Sequence, residues 1–189
     1  SGGTAGNGTG QTWSSRTTGA RTVYGHNAAN LSTYGYLYNW YAVADSKGLC
    51  PSGWKVPSES DWNSLSSYLG NDPGVKLADT SWILAFGKPT NESGFSVKPG
   101  GYRDTSGRFS APLISGNFWS TTKSSSNIFK GRELYSKGYW DTYSYRGSSG
   151  LSIRCLKDTF SIVSIPSLTT TAITAIATTS ANSGGNITA

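Results

Sequence analysis

The sequence predicts an α+β fold, with two helices in the first half of the chain and strands and loops in the second. Two segments of the first half carry apolar residues at helical spacing. From Asn71 onwards glycine and proline recur so often that only strands and loops are expected. Charged residues make up 14% of the chain and 24 residues are glycine, which favours a loop-rich domain over a bundle of long helices.

The first candidate helix, between Ser32 and Ala44, fits two patterns. Ser32 or Thr33 can cap a helix. The apolar residues on one face of that helix are Leu37, Trp40, Tyr41 and Ala44. A strand is the alternative, because aromatic residues also alternate at Tyr34, Tyr36, Tyr38 and Trp40.

A short strand and a capped helix follow. Trp54 to Val56 alternates apolar and polar residues until a proline ends the run. Ser58 can cap the next helix, and Asp61 stands three residues later, as in a capping box. Gly70 is well placed to end the helix. One apolar stripe faces a core and consists of Trp62, Leu65 and Leu69.

The second half alternates strands with turns. We expect a strand from Gly94 to Pro99, a turn or bulge at Pro99 to Gly101, and a strand around Gly116 to Ser120. A central strand from Leu151 to Leu156 closes the domain. Regular periodicity predicts four core aromatic residues: Trp54, Trp62, Phe95 and Trp119.

Several blocks of the sequence resemble one family of bacterial surface domains. In order, they are YGYLYNWYAV, LCPSGWKVPSESDWNSLSSYL, NESGFSVKPGGYRD, GNFWSTT and GLSIRCLKD. Together they resemble the Fibrobacter succinogenes major paralogous domain over roughly residues 20–158. The resemblance implies a C-type-lectin-like fold and favours a helix between Ser32 and Ala44. WKVPSESDW and GNFW also look like segments of the formylglycine-generating enzyme superfamily, which indicates a shared scaffold.

The two cysteines, Cys50 and Cys155, cannot form a four-ligand zinc site or a CxxC redox motif. A disulfide is favoured, with two reduced buried thiols as the alternative. The resemblance places both cysteines in matching blocks, which supports the pairing and implies an exported, extracellular location.

The chain divides into three predicted regions. Residues 1–19 are rich in glycine, serine and threonine, residues 20–158 form the lectin-like domain, and residues 159–189 follow a connector. The last region resembles the first strands of an Ig-like repeat, and a Thr-rich stalk is the alternative. We therefore expect this chain to belong to a larger surface protein whose neighbouring domains are partners. No run of residues is long and apolar enough to span a membrane.

The motifs do not point to an enzyme or a cofactor. His26 is the only histidine, and no nucleophile motif, zinc-protease motif or phosphate-binding loop is present. The activity of formylglycine-generating enzymes is not carried over, because they use two cysteines close together near the C-terminus. Lys88 is the wrong residue for the EPN-type calcium loop of C-type lectins, so the motifs do not support Ca²⁺.

The net charge of +6 does not predict a nucleic-acid partner, because the basic residues form no dense tract. Instead, an aromatic-rich segment predicts a ligand surface for a glycan or another surface protein. The candidate ligand-binding residues are Tyr139, Trp140, Tyr143, Tyr145, Arg146 and Arg103. The sequence thus predicts a non-catalytic surface module for adhesion or ligand binding. An architectural tip or spacer of a filament and a diversified receptor-binding protein are the alternatives.

Overall fold

The structure is a computed structural model that describes residues 12–85, 87–158, 167–170 and 185–188. The chain divides into two units, residues 1–157 and 158–189.

The first unit mixes short helices with antiparallel strands, which confirms the α+β class. The helices are α1 (Leu31–Tyr34), α2 (Trp40–Val43), α3 (Glu59–Leu69) and α4 (Pro73–Leu77). The strands are β1 (Arg21–Val23), β2 (Tyr36–Tyr38), β3 (Trp54–Lys55), β4 (Tyr102–Arg103), β5 (Phe109–Ser110), β6 (Ser115–Ser125), β7 (Ile128–Tyr135), β8 (Trp140–Arg146) and β9 (Leu156–Lys157).

The largest sheet consists of β6, β7 and β8, all antiparallel and joined by short connections. Three two-stranded pairs surround it: β1 with β2, β3 with β9, and β4 with β5. The pairing of β3 with β9 joins the segment that follows α2 to the C-terminal end of the unit.

Both faces of the large sheet pack against apolar clusters. On one face, α3 and the chain after it bury a cluster that includes Trp62, Leu77, Trp82, Phe118, Leu134 and Trp140. On the other face, Trp119, Phe129 and Leu151 form a second buried cluster. The sheet is therefore the middle layer, and a side chain's position in its strand decides which cluster it joins.

The predicted capping box begins α3 and is confirmed. The backbone N–H of Asp61 donates to Ser58 Oγ at 3.2 Å, and the backbone N–H of Ser58 donates to Asp61 Oδ2 at 2.8 Å. Gly70 ends the helix as expected, with φ +64°. Trp62 and Leu69 face the core, so the local pattern predicted this helix and its buried face correctly.

The predicted helix from Ser32 to Ala44 is wrong. Gly35 interrupts it with φ +73°, a conformation that glycine adopts without strain. The chain then forms β2, and Asn39 starts α2 by accepting the Ala42 N–H on its side chain. The middle of the segment is therefore the strand β2, in which Leu37 is buried, and the helices α1 and α2 lie before and after it.

Other predictions for the second half need correction. The helix α4 follows Asn71, where no helix was expected; Pro73 lies in its first turn and Leu77 is buried. Gly94 to Pro99 does not form a strand. The backbone N–H of Ser96 donates to Asn91 Oδ1, and within this segment only Val97 forms a β-bridge, to Ala78.

The closing strand is interrupted. Leu151 and Ser152 bridge to β2 and β6 and lie centrally, but only β9 pairs as a strand thereafter. Of the predicted core aromatic residues, Trp62 and Trp119 are buried and Phe95 is half-buried. Trp54 is 47% exposed, because its two-residue strand has no layer packed over that side chain.

The second unit contains the antiparallel strands β10 (Ser167–Thr170) and β11 (Gly185–Thr188). Most of the predicted Ig-like start or Thr-rich stalk lies outside the described residues. Among the helices of the described residues, none has the length and apolarity that a membrane span requires.

The predicted disulfide between Cys50 and Cys155 is present and closes a loop with a sequence separation of 105 residues. A crosslink over such a loop lowers the entropy of the unfolded chain. In the chain-entropy model this stabilises the folded state by about 4 to 5 kcal/mol.

The loop length predicts the effect of removing the disulfide. We expect the Cys50→Ala, Cys155→Ala double variant to lose unfolding free energy of that order. Urea unfolding of both proteins would measure it. An unchanged midpoint would contradict the disulfide's stabilising role.

Candidate functional site

The register of the large sheet sets three rows of side chains on one face. Asn117, Glu133 and Asp141 stand opposite one another across β6, β7 and β8. A neighbouring row contains Trp119, Gly131 and Tyr143. A third row begins with Ser115 and Tyr135, and the backbone N–H of Tyr135 donates to the Tyr139 carbonyl in the turn before β8.

These rows are buried on the β6 side and open on the β8 side. Ser115 and Asn117 are fully buried. Tyr143 is 46% exposed and Tyr139 is 57% exposed, and Asp141 is also exposed. We call the open part the tyrosine surface and define it as Glu133, Tyr135, Tyr139, Asp141 and Tyr143.

Gly131 leaves room for the Tyr145 side chain, which lies beneath the tyrosine surface. A Cβ on Gly131 would lie 2.9 Å from the Phe118 carbonyl oxygen and 2.9 Å from the Tyr145 ring. Tyr145 fills that space and packs edge-on against Trp119, with ring centroids 5.7 Å apart. The absent side chain thus lets Tyr145 lean across β7 towards β6.

A chain of hydrogen bonds runs beneath the tyrosine surface from Tyr145 to Ser115. The Tyr145 hydroxyl donates to Asn117 Oδ1 at 2.9 Å, and Asn117 Nδ2 donates to Ser115 Oγ at 2.7 Å. Ser115 also neighbours the Glu133 carboxylate, and its hydroxyl lowers the pKa of that group. The buried Asn117 and Ser115 side chains therefore both have partners, and they lie next to Glu133.

The electrostatics of the surface are set by partial burial and by the two neighbouring carboxylates. Burial raises the pKa of Glu133, the nearby charge of Asp141 adds to that rise, and the Ser115 hydrogen bond opposes it. Burial and the same two carboxylates raise the pKa of the Tyr143 hydroxyl. Tyr143 therefore stays protonated at neutral pH and can donate a hydrogen bond.

The structure separates the six predicted ligand residues. Tyr139 and Tyr143 lie on the tyrosine surface, and Tyr145 lies beneath it. Trp140 has the opposite parity in β8 and is only 6% exposed, packed 5.6 Å from Trp62. The prediction that Trp140 contacts ligand is therefore wrong, because its ring belongs to the core under α3.

The two predicted arginines also lie elsewhere. Arg103 is 7% exposed in β4, with its guanidinium 4.4 Å from the Trp13 ring centroid. Arg146 is exposed, but it shares the parity of Trp140 and so projects from the other face of the sheet. Neither arginine adds a donor to the tyrosine surface.

Sequence reasoning missed Glu133, Tyr135 and Asp141. Asp141 lies two residues before Tyr143 in β8, so strand alternation alone could have placed the two side chains on one face. Glu133 and Tyr135 could be assigned to the same face only with the register of the β7–β8 hairpin, whose turn contains Gly138 at φ +82°. The described residues contain no group of three or more histidine, cysteine, aspartate or glutamate side chains that could hold a metal ion.

The fold and the site define a small, disulfide-linked α+β domain with an exposed tyrosine surface at one sheet edge. Residues 4–157 match the family model of the Fibrobacter succinogenes major domain, and the chain belongs to this family. No curated protein and no solved structure matches the chain. The matched region includes Trp13, which lies before the predicted domain boundary at residue 20. Its indole N–H donates to the Ser148 carbonyl at 2.6 Å.

The hydrogen-bond chain predicts different effects for two tyrosine hydroxyls. Tyr145→Phe leaves the buried Asn117 Oδ1 without its donor, and we expect a loss of about 1 to 3 kcal/mol of unfolding free energy. Tyr143→Phe, on the exposed side, is the matched control and is expected to change stability by less than about 0.5 kcal/mol. Urea unfolding checks both variants, and equal losses would contradict the buried chain.

The raised pKa of Glu133 predicts a pH-dependent effect of Glu133→Gln. The folded state disfavours the ionised carboxylate, so wild-type stability falls as pH rises above the unfolded value of about 4.5. The glutamine variant lacks this penalty. We expect it to gain stability over wild type at pH 7 and to match it near pH 3.5, as measured by urea unfolding. Glu92→Gln, at an exposed position, is the control, and a gain that is independent of pH would refute the prediction.

Proposed function

We propose that this chain is a non-catalytic, glycan-binding module of an exported, multidomain bacterial surface protein. The observation that carries the proposal is the tyrosine surface, where Tyr139 and Tyr143 are exposed beside two carboxylates on a fixed sheet edge. Membership of the family and the earlier resemblance support a C-type-lectin-like scaffold for this role.

The chemistry of the surface suits a sugar. Aromatic faces pack against the apolar C–H faces of sugar rings, and tyrosine has few rotatable bonds to immobilise. Carboxylates accept hydrogen bonds from sugar hydroxyl groups and the Tyr143 hydroxyl can donate one. Asn117 and Ser115, buried beside Glu133, are held by hydrogen bonds, so the support beneath the surface is already ordered before ligand arrives.

The location rests on the disulfide. Structural disulfides persist in oxidising compartments, and Cys50 and Cys155 form such a bond. The described strands of the second unit support a following domain, which would place this module within a longer surface chain.

The test is a glycan and polysaccharide screen of the full chain, followed by titration of any ligand found. We expect Tyr143→Ala to weaken binding about tenfold or more, because it removes one stacking face and a donor. Tyr139→Ala should weaken it as well. Tyr68→Ala is the matched control, since Tyr68 is exposed on α3 and lies outside the tyrosine surface.

Circular dichroism should show that all three variants stay folded. Trp140→Ala is unsuitable here, because it removes a core ring. The proposal fails if wild type binds no glycan, or if Tyr143→Ala binds as tightly as wild type. Absence of glycan binding would favour the architectural role of tip or spacer. Binding that persists in a chelator would agree with a metal-independent site, whereas chelator sensitivity would contradict the aromatic and carboxylate site proposed.

A further inference from the structure

A second surface feature, away from the tyrosine surface, is a basic pocket of about 260 Å³ beside β1 and β4. It is lined by Trp13, Arg16, Gly19, Ala20, Arg21, Thr22 and Arg103. None of these described lining residues is acidic. We call it the arginine pocket.

Arg103 is the central group of the arginine pocket. Its side chain is almost entirely buried, and its guanidinium carbon lies 4.4 Å from the Trp13 ring centroid and 5.1 Å from that of Phe109. Its Nε donates to the Gly107 carbonyl at 2.7 Å. Two aromatic faces and one backbone bond thus hold the guanidinium in place.

The charge of Arg103 is not neutralised by an ion pair among the described residues. The neighbouring Asp104 carboxylate attracts the Arg103 charge, but its hydrogen bonds and its ion pair are with Ser106 and Arg108. Among the same residues, the two terminal nitrogens of Arg103 have no hydrogen-bond partner. A buried cation with unused donors is costly unless an anion accepts from it.

Two more arginines, Arg16 and Arg21, line the pocket. Arg16 is also buried at the pocket wall, and Arg21 stands at its exposed edge, with its guanidinium carbon 4.4 Å from the Tyr36 ring centroid. Nearby, burial and the charge of Arg103 lower the pKa of His26. His26 also contacts the hydroxyl of Thr22, which lines the pocket.

We propose that the arginine pocket binds an oxyanion, a carboxylate or sulfate group carried by an acidic saccharide. Planar guanidinium groups bind such oxygens through paired hydrogen bonds, and aromatic stacking keeps the Arg103 fork in a fixed orientation. The pocket is large enough for the charged group and part of one sugar ring. This binding site is separate from the tyrosine surface, and its ligand need not be the same molecule.

The test uses three small probes at one fixed ionic strength: glucuronate, sulfate and neutral glucose. Titration is followed by backbone-amide NMR shifts and by calorimetry. Wild type is expected to bind glucuronate and sulfate but not glucose. Arg21→Gln should weaken anion binding about tenfold, since it removes charged donors at the pocket edge without disturbing a buried group.

Arg103→Lys keeps the charge but removes the planar fork, so it should weaken binding about tenfold as well. Arg146→Gln is the matched control: it removes one positive charge at an exposed site on the large sheet and should leave affinity within about twofold. Tyr143→Ala should also leave the anion affinity unchanged, which distinguishes this site from the tyrosine surface.

Three results would overturn the proposal: no anion binds wild type, glucose binds as tightly as glucuronate, or Arg146→Gln weakens binding as much as Arg21→Gln. The last result would assign the effect to net charge alone. If the site is confirmed, a uronic-acid polymer and a sulfated polymer compared in the same titration would identify which oxyanion is preferred.

Discussion

The structure depends on one buried residue, Trp119, which joins the parts of the first unit through its polar groups as well as its ring. Its indole N–H donates to the Tyr38 carbonyl at 2.6 Å, and its backbone N–H donates to the Ser152 carbonyl at 3.0 Å. Its own carbonyl accepts the Trp62 indole N–H at 3.3 Å. Trp119 therefore links β2, the closing segment, α3 and the large sheet, and the tyrosine surface rests on this junction.

The sequence predicted best where the determining contacts are local. The capping box, apolar stripe and terminal glycine of α3 lie within thirteen residues, and each is present. The helix predicted between Ser32 and Ala44 is wrong because Gly35 and Asn39 redirect the backbone. The pairing of β2 with β1 then outweighs the helical periodicity. The prediction that Trp54 lies in the core is wrong for a related reason. Alternation within a two-residue strand does not show whether another layer covers it.

The candidate site was only partly predictable for the same physical reason. Parity within β8 separates Tyr143 from Trp140, but burial of one face was needed to decide which residue meets solvent. Glu133 joins Tyr143 only through hairpin register. Arg103 could not be placed at all, because the ring that stacks on it, Trp13, lies 90 residues earlier in the chain.

A comparison of Arg103 with Arg132, another buried arginine, shows why burial alone does not define a ligand site here. Arg132 is as buried as Arg103, but its Nη2 donates to Asn63 Oδ1 at 2.5 Å and to Ser66 Oγ at 3.3 Å, both on α3. That guanidinium joins the helix to the sheet and faces no pocket described above. Arg103 makes its protein hydrogen bond through Nε and turns the rest of the fork towards a basic pocket. Arg132 also has a buried donor without a partner among the described residues, its Nε, so what distinguishes Arg103 is the basic pocket that its guanidinium lines.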